Sequence, residues 1–421
     1  MMKVLLVGAG IGGLALAQGL RRRGVNVAVF ERDRTPTDRL QGYRIHINEF
    51  GSRALHYCLA PELFEAFLAT CGQPNRGIGF FSHLLRELVW FGDDGATPRD
   101  ADPVASFRSA SRTSLRQILL AGISDTVYFD KNFSHYDFVG RGTVRAHFAD
   151  GSSAEGDVLV GADGVNSRVR RQYLPHAQRI DTGVTGIQGK VWLTDETRAL
   201  VPRRIYDGPG IIPGPGGYGM FLALHEFQRI PARVSQLIGP EIHVQRDYIM
   251  WGLLARRTKL PANLEQVDER GLLSLALERI GKWHANLQRL VAASDPATIL
   301  LTPIRSSVAV EPWPPTAIIL LGDAIHSMPP TGGMGANTAL RDAELLTRQL
   351  TAAARGEVAL LQAIADYEKE MRRYGFQAVR HSMSNLRRQQ LTENPLLLAG
   401  MKIGLRTLRG IMPLRRLALG R

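Results

Sequence analysis

Cysteine is nearly absent from this chain of 421 residues, with only Cys58 and Cys71 present. Two thiols cannot build a disulfide framework or a thiolate metal site, and their scarcity suits a reducing cytoplasm. Nor is there a run long and apolar enough to span a bilayer, although 44% of the residues are hydrophobic. The chain shows no internal repeat, no low-complexity segment, no convincing metal-ligand cluster and no nucleophile with a partnered base. Acidic residues are scarce at one end: residues 371–421 hold eleven basic side chains against Glu393 alone, so ten of the net +13 charges lie there. The remaining body is close to neutral. Without a recognisable binding module or interleaved aromatics, that basic tail argues against nucleic acid.

Glycine is abundant, and two glycine-rich turns bracket most of the protein. The first follows Lys3-Val-Leu-Leu-Val7 and reads Gly8-Ala-Gly10-Ile-Gly-Gly13. A buried strand, a tight turn and a helix over about 12–23 fit it. Gly8 permits the turn, Gly10 lets the backbone approach a pyrophosphate, and Gly13 lets helix and strand pack closely. These glycines also cut the apolar N-terminal stretch, which argues against a signal peptide. The next strand, 26–30, ends at Glu31, where a carboxylate meets a ribose hydroxyl pair. Late in the chain, the apolar run 317–321 ends in Gly322-Asp323, and Gly332-Gly333-Met-Gly335-Ala336-Asn337 opens another helix. Asp323 can accept from ribityl hydroxyls, and the free amides at this helix start can face an electron-rich flavin oxygen. One long cofactor touching both turns is FAD.

A third motif lies between them, Gly161-Ala-Asp163-Gly164, followed by Arg168 and Arg170. At these three motifs the chain resembles the flavoprotein monooxygenases of the aromatic hydroxylase type over roughly residues 1–370. The resemblance implies non-covalent FAD, NAD(P)H as a transient co-substrate and O2. It gives Asp163 contacts to FAD, against the plain reading of a turn residue at a strand end. It places Arg44, in Gly42-Tyr43-Arg44, near the FAD phosphates, and brings Arg32 and Arg112 to the cofactor. It also puts the backbone carbonyl of Pro330 at the seam between flavin and substrate. His326 is read as a brace for its loop.

The resulting fold class is α/β, a Rossmann-like FAD-binding domain interleaved with a mostly antiparallel β-sheet substrate domain, plus C-terminal helices. Residues 1–72, 105–177 and 295–370 are assigned to the FAD-binding domain, 73–104 and 178–294 to the substrate domain, and 371–421 to a basic helical extension. In the middle region, alternating runs such as Phe221, Ala223 and His225, or Ile249, Trp251 and Leu253, offer one face to whatever lies beneath. His225 and Trp251 are the substrate-cavity candidates. Within 396–412, Met401, Leu405, Leu408 and Met412 share one helical face beside Lys402, Arg406 and Arg409, and Pro413 should end or bend the helix. A helix docked on the body with a wet basic face is the first reading. Weak peripheral contact with anionic membrane is the second.

The function implied is a cytoplasmic monooxygenase of secondary metabolism. NAD(P)H would reduce FAD, O2 would add at flavin C4a, and the distal oxygen would hydroxylate or epoxidise an apolar, aromatic or polyketide-like small molecule. Two rivals need the same FAD contacts: a flavin reductase or dehydrogenase, and a non-redox scaffold such as a cyclase or binding protein that keeps FAD. A Trp-x-Trp-x-Ile-Pro segment is missing, which weighs against the flavin halogenases.

Overall fold

The computed structural model describes the chain except residues 37, 39–42, 74, 93–101, 103, 106, 141, 229–230, 239–245 and 419–421, with side chains described as far as residue 409. A five-stranded parallel sheet runs Ile318–Leu320, Val158–Gly161, Lys3–Val7, Asn26–Phe30, Val127–Tyr128. Its strands are buried on both faces and read as continuous apolar runs, as parallel strands covered by helices must. The first helix, Ile11–Arg21, and the Gly335–Ala354 helix cover one side. On the latter, Leu340, Ala343, Leu346 and Leu350 recur at helical spacing and are fully buried.

The second sheet has seven strands in the order Leu300–Ser307, Arg179–Trp192, Tyr248–Arg256, Gly219–His225, Gly210–Pro213, Gly77–Phe81, Glu87–Gly92. Its one parallel pairing, Gly210–Pro213 with Gly77–Phe81, leaves it mostly antiparallel. A two-stranded ribbon, Arg44–Ile47 with Arg108–Ser111, lies between the sheets in the chain's path.

Three expectations need correction. Leu300–Ser307 pairs with Arg179–Trp192, so the segment from 295 serves the antiparallel sheet before the chain returns to the parallel one. The partner strand Arg179–Trp192 is 14 residues long. Its bulge between Asp181 and Val184, at Gly183 with φ +67°, interrupts the register without ending the strand. The boundary at 371 falls inside the helix Leu360–Gln390, whose Tyr374, Phe376 and Val379 join the core of the parallel sheet. The last helix runs Pro395–Ala418, so Pro413 does not end it.

Candidate functional site

Each glycine of the first turn meets its physical demand. Gly8 has φ +108°, and a Cβ there would lie 2.4 Å from Ala162 O. A Cβ on Gly13 would lie 2.3 Å from Gly8 O, whereas at Gly10 it would meet no protein atom within 4 Å. The helix begins at Ile11 with no side-chain cap, and Leu14 is the first residue whose N–H reaches a helical carbonyl, that of Gly10 at 2.9 Å. The amides before it point out of the helix end. Room for backbone approach and amides without helical acceptors coincide at Gly10, as a pyrophosphate requires.

The two glycine turns abut. A Cβ on Gly12 would sit 2.6 Å from Leu321 Cδ2 and 3.1 Å from Ala339 Cβ, so the starts of the two helices pack side by side. The later helix also lacks a side-chain cap, and Thr338 is its first residue bonded back, to Met334 O at 2.9 Å. Gly333 takes the left-handed conformation, φ +61°, ahead of it. Gly335 is half-buried, and a Cβ there would stand 3.9 Å from Asp323 Oδ1; Ala336 is half-buried beside it, and the Asp323 side chain is exposed. Pro330 opens a single tight turn and its carbonyl accepts from Gly333 N–H at 3.1 Å.

Other predicted residues turn out to hold the protein itself together. Glu31, 6% exposed, accepts from Ala9 N–H at 2.7 Å and Asp33 N–H at 3.0 Å, so its carboxylate shapes the glycine turn. Asn337 is spent on protein partners: its Oδ1 accepts from Asn48 N–H (2.8 Å), and its Nδ2 donates to His46 O (2.7 Å) and Gly333 O (2.9 Å). Asp163 accepts from the amides of Arg168 (2.7 Å) and Val169 (3.3 Å) and thereby caps the short helix Arg168–Tyr173. Burial raises its pKa against those hydrogen bonds. The expected brace at His326 is present and reaches deeper than its loop. Fully buried, it donates through Nε2 to Asp342 Oδ2 (2.7 Å), while Gly322 N–H donates to the same oxygen (2.8 Å) and Tyr374 Oη to Oδ1 (2.7 Å).

Arginine roles shift. Arg32 and Arg112 are exposed, and Gly42 lies outside the described residues. One turn beyond Arg112 on the same helix, Arg116 also reaches the glycine turn, donating to Ala9 O (3.3 Å) and pairing with Asp33 (3.3 Å). Its four-residue spacing from Arg112 was the available signal. The Arg44 guanidinium, 8% exposed, donates to Asn75 Oδ1 at 2.8 Å and faces Tyr248 and His225. It therefore sits at the antiparallel sheet rather than at the phosphate turn.

The sheet's two faces separate the substrate candidates. Register sets Phe221 opposite Gly252, Ala223 opposite Met250 and His225 opposite Tyr248 on one face, with Lys190 also opposite Met250. Ile249, Trp251 and Leu253 point the other way, into a core shared with the helices Glu269–Arg279 and Ala285–Ala292. Trp251 is fully buried there, with its Nε1–H on Ser294 Oγ at 2.7 Å, so it lines no cavity. His225 faces the ribbon, its Nδ1 2.9 Å from Ser109 Oγ, and borders a pocket with Asn75, Tyr206 and Glu226. The Tyr43 hydroxyl donates to Thr298 O, and His46 stands beside Gly333, so the ribbon joins the sheet to the second glycine turn. Asn75, Ser109 and Lys190 belong to this end. They carry no motif, and only the fold brings them together.

Comparison with known proteins agrees with this geometry. Residues 6–67 match the model of an NAD(P)-binding Rossmann-like domain, and residues 283–382 match that of an FAD binding domain. A solved structure described as an FAD-containing monooxygenase of Photorhabdus luminescens is 37% identical with a TM-score of 0.80, over 93% of this chain and 98% of that one. The dual O-methyltransferase/FAD-dependent monooxygenase ElcB of Phaeosphaeria nodorum is 32% identical over 90% of this chain and 45% of its own. The FAD-dependent monooxygenase ThnD of Trichoderma harzianum is 26% identical over 96% and 97%. The chain spans less than half the length of the first curated relatives it matches.

Proposed function

We propose that this chain, which belongs to the FAD-dependent monooxygenases of the aromatic hydroxylase type, uses NAD(P)H and O2 to hydroxylate or epoxidise an apolar, aromatic or polyketide-like small molecule. The observation that carries the reading is the abutment of the two uncapped helix starts, with Gly10 open and Gly12 against Leu321 and Ala339. The turn at Gly8, Gly10 and Gly13 would hold the pyrophosphate, and Asp323 with the amides of Gly335 and Ala336 would hold the ribityl and ring end. Bound FAD supplies the redox chemistry and the activation of oxygen. The chain's own residues position the substrate and keep water out. Phe221 and Met250 on the inner sheet face offer apolar contact, and the ribbon closes the space beside Gly333.

The test is a purified chain incubated with an aromatic and polyketide library, following NAD(P)H oxidation and isotopically labelled oxygen in the product. Labelled product with acid-released FAD is expected. Flavin reduction without product oxygen would favour a reductase, and tight FAD with no stimulated NAD(P)H consumption would favour a scaffold.

A cytoplasmic location is part of the same proposal, supported by two free, buried cysteines. Among the described residues no helix is long and apolar enough to cross a membrane. Weak contact with an anionic membrane surface is proposed for the last helix, where Leu396 is 81% and Ile403 62% exposed beside Lys402 and Arg406.

A further inference from the structure

Arg44 is buried among groups that do not neutralise it. Its Nη2 donates to Asn75 Oδ1, yet its Nε is buried without a hydrogen-bond partner. Burial brings its pKa down to about 10, and the one group acting against that is the phenol of Tyr248. The acid on the adjoining pocket wall, Glu226, is committed to Arg198 at 2.7 Å. Among the described residues no carboxylate pairs with this guanidinium; a charge so withdrawn from water is costly, and a bound anion removes the cost.

The neighbours sharpen the picture. His225, 1% exposed, spends Nδ1 on Ser109, while its Nε2 is buried without a partner. Burial, then the charges of Arg44 and Lys190, hold it down to about 3; burial and Arg44 hold His46 down to about 4. Both imidazoles are therefore neutral at pH 7, and Arg44 and Lys190 are the cations that, among the described residues, act on His225. The Lys190 ammonium stands 4.6 Å from the ring centre of Tyr248 and 5.2 Å from that of Tyr43. Cross-strand register places it beside Met250, with Ala223 and Phe221 further along, so the polar end adjoins apolar floor.

We infer that the recess formed by Arg44, Lys190 and His225 seats an acidic oxygen of the substrate, an enolate, phenolate or carboxylate carried on a flat apolar body. This rests on the monooxygenase reading and narrows its substrate class. The guanidinium and ammonium pair with the anion, and neutral His225 adds a hydrogen bond through Nε2. The cofactor's phosphates are the competing anions, whereas the partner that Arg44 Nη2 does have, Asn75, lines the same pocket as His225.

The experiment uses the full FAD-loaded chain, oxidised and without NAD(P)H, titrated with three probes and read by perturbation of flavin absorbance. Lawsone, a hydroxynaphthoquinone ionised at neutral pH, tests the enolate; 2-naphthoate tests the carboxylate; the methyl ether of lawsone is the neutral counterpart. At least one acid is expected to bind about tenfold or more tightly than the ether, a difference of about 1.4 kcal/mol. Arg44→Gln and Lys190→Met should each shrink that preference to about threefold or less, Arg44→Lys should keep part of it, and FAD content should stay at the wild-type level. Equal behaviour of acids and ether, including no binding by any of them, overturns the inference. So does a preference that survives in both variants, or loss of FAD from Arg44→Gln together with a preference that survives in Lys190→Met. Should Arg44→Gln not fold, Lys190→Met reads the same quantity. Because no turnover is involved, failure here leaves oxygenation standing, and failure of oxygenation leaves this binding result standing.

Discussion

The cofactor end and the substrate end of the proposed site are built on opposite principles. At the cofactor end the carboxylates are saturated: Asp342 receives three donors and Glu31 two backbone amides, all within the protein. Leftover atoms there, such as His326 Nδ1 and Asp163 Oδ1, belong to groups otherwise engaged. At the substrate end, Arg44 Nε and His225 Nε2 are likewise left over on groups bonded elsewhere, to Asn75 and Ser109, but among the described residues no carboxylate bonds to either group. A saturated network is rigid and specifies one geometry, whereas an unsaturated one is completed by what binds. The cofactor end is thus a preformed cradle, and the substrate end a half-built site.

Breaking the saturated end should have the largest effect. Asp342→Ala strands His326, Tyr374 Oη and the Gly322 amide at once, and a broken buried pair costs about 3–5 kcal/mol. Denaturant unfolding should show that loss together with reduced FAD retention, because Gly322 precedes Asp323. Wild-type stability in this variant would mean the network is not the support it resembles. Next in size is Gly8→Ala. Its φ of +108° alone costs about 1–3 kcal/mol in a residue with a Cβ, and the clash with Ala162 O adds to it. FAD should be lost from an otherwise folded protein, and full flavin occupancy would refute the cradle. Glu31→Ala should weaken FAD retention by about 1.5–3 kcal/mol, as measured by equilibrium dialysis. That effect arises partly through the freed Ala9 and Asp33 amides and not from a ribose contact alone.

The same contrast explains what the sequence could reveal. Gly8, Gly10, Gly13 and Gly333 are legible because backbone demands fall on single residues, and a missing Cβ is visible in the letters themselves. The strand at 26–30, placed by its position after the glycine turn, also matches to the residue. Alternation could not say which face of 248–256 met the cavity, since both faces are apolar enough. Hence Trp251 lies in the core, whereas His225 borders a pocket. Arg44, Asn75, Ser109 and Lys190 come from four separate segments, and their meeting depends on a ribbon laid against a sheet, which has no local signature. Asp342 was equally hidden, because an acid in mid-helix is usually solvated.

Two histidines test the contrast by the sign of their pH dependence. His326 loses solvation by burial, but Asp342's charge and hydrogen bond outweigh this and raise its pKa. Its contribution is full below the unfolded pKa of about 6.5 and is lost as pH rises through the raised folded value. His225 is lowered to about 3 by burial and by Arg44 and Lys190, so the unfolded state takes up the proton first. Folding therefore weakens as pH falls below about 6.5, by about 1 kcal/mol between pH 7.5 and 5.5. Plotted against pH, the stability lost in His225→Gln should rise and that lost in His326→Gln should fall. Parallel slopes from chemical denaturation would show that the two ends do not differ electrostatically.

The smallest effect is expected from the basic helix, which touches neither end of the proposed site. The face expected to pack on the body does so only in part. Met401 and Leu405 are half-buried and Leu408 is 45% exposed, while the buried anchor is Leu398, at 6%. The side chain of Met412 lies outside the described ones. Beyond Leu398 the attachments are a Lys402 contact with His83 at 3.2 Å and an Arg409–Glu87 pair at 3.8 Å, the Arg409 side chain being 58% exposed. Surface pairs of this kind contribute about 0–1 kcal/mol. Truncation after Leu398 should therefore leave FAD content unchanged and lower stability by about 1 kcal/mol or less. Exposed Leu396, Leu397 and Ile403 beside basic side chains also predict weak co-sedimentation of the full chain with anionic vesicles. High salt should release it, because the attraction is screened over about 8 Å at physiological ionic strength. Equal sedimentation of the full and truncated chains would remove the membrane role, whereas loss of FAD on truncation would show that the helix closes the cofactor end after all.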